Sequence, residues 1–195
     1  MPPLRTEKRQ ATEARVLNEA RRLFEQRGFA ATTIRDIAQA SDVSVGTVMA
    51  AGDKPALLVH VFDDLIAAEH DARSAPPTAG TCVDRILSIV DPFVTIFTDR
   101  QGLARAYASI LVSGTHSSTL FTKLAARLVD EIRVALEDSS SAVEKQATAN
   151  AAYFAYVGTL FSWSARPDAD PAELTTSLRA TFTAICATTT KGTTT

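Results

Sequence analysis

Along the first third of the chain apolar residues return every three or four positions, the spacing of helices with one buried side. Val16, Leu17, Ala20, Leu23 and Phe24 predict a helix over residues 7–27, with Gly28 as its stop. In "TTIRDIAQA", residues 32–40, Thr32 or Thr33 is a natural cap for a short second helix whose apolar side is Ile34, Ile37 and Ala38. Ser41 and Asp42 then supply a turn, because Asp tolerates a left-handed backbone better than most residues, and Ser44 caps a third helix starting near Val45. A fourth opens at Asp53, with Pro55 in its first turn, and continues through Val59, Phe62, Leu65 and Ile66.

"RSAPPTAGT", residues 73–81, interrupts the pattern with Pro, Gly, Ser and Thr and reads as a surface connection. Beyond it no alternation predicts a strand. Helices are expected at about 81–99, 102–113, 116–138, 142–164 and 171–188, the last starting at Asp170 and Pro171, with a frayed tail at about 189–195. The fold class is therefore all-α, about nine helices. Residues 1–54 form a three-helix helix-turn-helix, a helix at about 54–72 connects, and residues 73–195 form a second helical domain.

Charge and chemistry narrow the function. The net charge of −2 conceals a mildly basic front, since residues 1–54 carry nine Lys and Arg against seven Asp and Glu. Lys8, Arg15 and Arg22 fall on one face of the first helix, which suits a helix beside a phosphate backbone as well as a solvated face. His60, His70 and His116 lack metal-ligand spacing, and there is no Gly-rich phosphate loop and no nucleophile motif, so neither an enzyme, a metal site nor a cofactor is expected. "EHD", residues 69–71, reads as a solvated helix end. The first ten residues contain no export-signal core, which points to the cytoplasm, and there Cys82 and Cys186 are expected to be two buried, inert thiols.

The residues of "LNEARRLFEQRGFAATTIRDIAQASDVSVGTV", 17–48, resemble the N-terminal domain of TetR-family transcriptional regulators at Ala20, Phe24, Gly28, Phe29, Thr33, Ile37, Ala38, Val43, Ser44, Gly46 and Thr47, followed by Lys54 and Leu57. The resemblance implies a homodimer that binds a double-stranded DNA operator and responds to a small effector. It implies DNA-binding roles for Thr33, Arg35, Ser44, Val45, Gly46, Thr47 and Lys54, with Thr33 and Lys54 on phosphate and residues 45–47 facing bases or sugar. The chain departs from the family where the third helix ends: Met49, Ala50, Ala51 and Gly52 stand in place of two aromatic positions, one residue shorter. The alternative is thus a TetR-like dimer that has lost sequence-specific DNA binding and acts through protein or small-molecule contacts.

Two further sites are expected in the second half. Pro92, inside a helical pattern, should kink its helix and open a cavity. Phe93, Phe97, Tyr107, Phe121, Tyr153 and Tyr156 are candidates to line it, and the scarcity of charge favours a largely apolar effector. Residues 146–165 carry no charge, yet their Gln, Thr, Asn and Ser argue against a membrane span and for packing on two sides. Val157 and Phe161 there, with Leu174, Leu178, Phe182 and Ile185 of the last helix, are the expected dimer interface.

Overall fold

Gly28 breaks the first helix as expected: at φ 79° and ψ 163° it takes a backbone that only glycine adopts freely, inside an element, α1, that spans Pro3–Ala31. The computed structural model describes residues 3–73, 79–119, 122–136 and 141–190. Among them it contains nine helices and no strand: α1, α2 (Ile34–Ala40), α3 (Val45–Ala51), α4 (Lys54–Ala72), α5 (Cys82–Thr98), α6 (Gln101–Ser113), α7 (Lys123–Ala135), α8 (Ala142–Ser164) and α9 (Pro171–Thr190). They fall into two compact units, Met1–Leu65 with Arg100–Ser118, and Ile66–Asp99 with Thr119–Thr195. The first unit thus takes in α6, which a sequential division of the chain does not anticipate.

Within the first unit Val16, Ala20, Leu23 and Phe24 of α1 are buried with Ile37, Val48, Leu57, Leu58 and Phe62. Helix α6 packs on α1, and Arg100 donates to Glu25 at 3.0 Å beside that seam. Tyr107 of α6 stacks on Phe62 at 4.5 Å and donates its hydroxyl to Asp63, which also accepts from Ser118. Because Gly114 closes α6 in a left-handed conformation and Ser118 is held by this network, α7 starts at Lys123 and not near residue 116.

The second unit is built around α5, whose Ile86, Ile89, Val90, Phe93 and Phe97 are buried, with α7, α8 and α9 packed on it. Thr81 and Ser141 form capping boxes with Asp84 and Glu144, which fixes the starts of α5 and α8. Pro92 does not interrupt α5, which continues as one helix through it. A proline leaves the carbonyl four residues earlier without its partner. Here that carbonyl, on Ser88, and its neighbour on Ile89 lie 3.5 and 2.6 Å from the Arg73 guanidinium, so the vacancy is filled from outside the helix.

Two expectations about reactive side chains are corrected. Cys82 and Cys186 are not separate thiols but a disulfide joining the start of α5 to α9, with their Cα atoms 6.1 Å apart. Residues 69–71 are not simply a solvated end either. His70 is buried, its Nδ1 is 3.0 Å from Glu131, and its ring lies 4.5 Å from that of Phe93. Burial lowers the His70 pKa, against the opposing pull of Glu131.

Candidate nucleic-acid interface

The turn between α2 and α3 is made as the sequence dictates. Asp42 adopts φ 51°, the left-handed conformation that its short polar side chain tolerates, and it lets the chain reverse within four residues. Thr33 caps α2 in a reciprocal box: its hydroxyl accepts from the Asp36 amide at 3.2 Å while the Asp36 carboxylate accepts from the Thr33 amide at 2.8 Å. The bonds that the Thr33 hydroxyl and then its amide donate to the Asp36 carboxylate hold it below the usual carboxylate range. Ser44 caps α3, accepting from the Thr47 amide at 3.1 Å, with the two hydroxyls 2.9 Å apart. Val48 is fully buried against the unit and fixes the rotation of α3.

With Val48 inward, the opposite side of α3 is open. Val45 and Met49 are 44% and 49% exposed, high values for apolar side chains. Ser44, Gly46 and Ala50 are exposed beside them, and Thr47 is half-buried at their edge. A Cβ on Gly46 would meet nothing closer than 3.7 Å, so the glycine is not required by packing within the chain. What it provides is a flat outer surface. The short end of α3 depends on Gly52, whose φ of 154° brings the chain so close to α4 that an added Cβ would sit 3.0 Å from that of Ala56.

Of the other positions that the resemblance marks, Arg35 is exposed on α2. Thr33 is exposed, but its hydroxyl is occupied in the cap, donating to Asp36 at 2.7 Å. Lys54 is placed differently from a free phosphate ligand. Its ammonium donates to the carbonyls of Phe29 and Thr32 at 2.9 and 3.0 Å and lies 4.4 Å from the Phe29 ring centre, so it ties the start of α4 to the end of α1. Arg22, one of the three cations on the α1 stripe, is likewise engaged, by Glu19 at 2.7 Å and Gln26 at 2.8 Å.

The residues expected to line a pocket belong to both units. Tyr107 belongs to the first unit and is fully buried in its hydrogen-bonded stack, while Phe93 and Phe97 are core of the second. Phe121 lies outside the described residues. Tyr153 lines an open groove of about 450 Å³ between α7 and α8, together with Ala126, Val129, Asn150 and the 70%-exposed Phe154. Burial pushes the Tyr153 hydroxyl up to about 12, and burial together with the neighbouring Tyr153 pushes that of Tyr156 higher, so both are neutral hydrogen-bonding groups.

Half of the expected dimer seam is turned into its own chain. Leu174, Leu178 and Phe182 are at most 1% exposed within their own chain, and Val157, Phe161 and Ile185 are half-buried. What α8 and α9 present outward includes small residues, Ala147, Ala151 and Gly158 on one and Ala180, Thr183 and Ala184 on the other, with the large Phe154 among them. Among the described residues no helix is long and apolar enough to cross a membrane.

A capped helix-turn-helix braced by a third helix, with its last helix exposed, defines a class: a DNA-binding transcriptional regulator. Residues 16–51 match the family model described as bacterial regulatory proteins, tetR family. No curated protein matches it significantly. Among solved structures it is similar to FadR of Thermus thermophilus, described as a TetR-family transcriptional repressor in complex with lauroyl-CoA, at 19% identity. That likeness covers 94% of this chain and 95% of the other with a TM-score of 0.49.

Proposed function

We propose that the chain is a cytoplasmic, ligand-responsive repressor that binds a near-palindromic operator as a homodimer, with α3 as its recognition helix. The observation that carries the reading is the exposure of Val45, Gly46 and Met49 on a helix whose cap and buried Val48 hold it rigid. A helix spends no binding energy on ordering when it is already fixed by its own core, and it can enter the major groove end-on with its first residues at the base edges. Val45 and the Thr47 hydroxyl offer an apolar contact for a thymine methyl and a hydrogen bond for a base edge. Arg35 on α2 supports the phosphate strand beside them.

Thr47→Ala and Val45→Ala are expected to weaken the preferred site by about 1–3 kcal/mol each while leaving affinity for random duplex nearly unchanged. A mobility-shift titration of both DNAs with each variant measures this. Equal loss on the two would assign these residues to backbone holding and remove α3 as the reader.

Dimerisation follows from the uncharged stretch of α8 and the small outward residues of α8 and α9, which let a second copy approach closely. Light scattering at micromolar concentration is expected to give twice the 20.9 kDa chain mass. A monomer would contradict the dimer and with it the paired half-sites. The effector is read as small and largely apolar, and its site as lying in the second unit, where the α7–α8 groove is an available concave surface. Its occupancy would shift the dimer away from the DNA-binding form only through a difference in affinity for the two forms.

A further inference from the structure

We infer that the cleft between the N-terminal half of α1 and the far end of α3 seats one sugar–phosphate strand of the bound duplex, with Lys8 and Arg9 holding its phosphates. The inference rests on the reading of α3 as the recognition helix. The cleft has a volume of about 440 Å³ and exists because Ala50 and Ala51 stand at the end of α3, where larger side chains would close it. Its two kinds of lining match the two parts of a nucleic-acid strand. Ala50, Ala51 and Val16 give it an apolar wall suited to deoxyribose. Lys8 and Arg9 give it cations suited to phosphate oxygens, while the Thr12 hydroxyl already donates to the Lys8 carbonyl at 2.9 Å.

Position favours this occupant over others. An α-helix about 10 Å across in a major groove about 12 Å wide has a phosphate strand along each flank. Thr47 belongs at once to the exposed side of α3 and to the cleft, so the cleft lies on such a flank. Lys8 and Arg9 are exposed, two turns of α1 beyond the first buried residue, Val16. The aromatic residues that the end of α3 lacks would have reached a phosphate from one helix; here the reach passes to α1, and the missing side chains leave the room for it. Glu13 also lines the cleft and opposes a phosphate there, which makes it a probe of the assignment.

Phosphate contacts are blind to sequence, so the test uses a labelled 20-bp duplex of random sequence titrated by anisotropy between 20 and 200 mM salt. Lys8→Gln with Arg9→Gln is expected to flatten the slope of log affinity against log salt by roughly 0.9 for each phosphate released, up to about 1.8. Glu13→Gln should tighten binding several-fold, and Ala50→Leu, which fills the cleft without changing charge, should weaken it about tenfold with an unchanged melting temperature. If the wild-type chain binds the duplex but Ala50→Leu and the double variant leave affinity and slope alone, the cleft is not the seat and α3 stands as reader without it. If the double variant flattens the slope while Ala50→Leu has no effect, the cations act as a diffuse field and the seated strand is overturned. A wild-type chain that binds no duplex at 20 mM salt overturns this inference together with the DNA-binding reading.

Discussion

Cys186→Ser is expected to lower the stability of the oxidised protein by about 2–4 kcal/mol, because the bond it removes closes a loop with a sequence separation of 104 residues. The chain-entropy account sets the upper end: a cross-link over about 100 residues removes nearly 5 kcal/mol of freedom from the unfolded chain, less any distortion of the native state. The loss should be confined to the second unit, where the bond fastens the final turns of α9 to the first turn of α5. The Arg179–Asp84 pair at 3.2 Å spans the same two helices but is more than half exposed on the arginine side, too weak to replace it. Thermal melting with and without reductant measures the effect, and in a domain of this size it corresponds to a fall of roughly 5–15 °C. Coincident melting curves for oxidised wild type and Cys186→Ser would show that the bond does not form or does not constrain the chain.

Lys54→Met should be nearly as damaging, and for a reason unrelated to DNA. The ammonium makes two charge-assisted hydrogen bonds to carbonyls at the end of α1, where helix geometry leaves carbonyls without partners, and it rests on the Phe29 ring. Methionine keeps the stem but cannot donate, so the Phe29 and Thr32 carbonyls lose these donors at a cost of about 2–4 kcal/mol in the first unit. Since those bonds already occupy the ammonium, the slope of random-duplex affinity with salt should change by less than the roughly 0.9 that one phosphate contact contributes. Unfolding by urea and anisotropy titration on the same variant separate the roles. Unchanged stability with a full loss of slope would return Lys54 to the phosphate.

Much of the helix-turn-helix was legible because its determinants are local. Thr33, Ser44 and Asp42 each act on backbone within three residues, and the structure places a cap or a left-handed turn at all three. Gly28 and the starts of α5 and α8 were readable for the same reason. What escaped depends on partners far along the chain. Lys54 carries no mark that its acceptors lie at Phe29 and Thr32, and two cysteines 104 residues apart show no spacing that pairs them. The periodicity of Leu174, Leu178 and Phe182 identified a buried face correctly but could not say whether a second chain or the same one covers it; the same one does. Pro92 does not end α5, and the partner of the carbonyl it leaves open comes from Arg73, outside the helix that holds it. His70 sits among charged neighbours in sequence, and only the packing of α4 and α7 within the second unit turns it inward.

The central claim is that α3 reads DNA sequence although its end lacks aromatic residues, and selection from fragmented genomic DNA at low salt tests it most directly. Purified protein should enrich a small set of fragments sharing a near-palindrome, with protected half-sites about one helical turn apart, and Thr47→Ala should abolish the enrichment without abolishing binding. Retention of fragments in proportion to their abundance, with wild type and Thr47→Ala alike, would contradict it and leave a TetR-like dimer that acts through protein or small-molecule contacts.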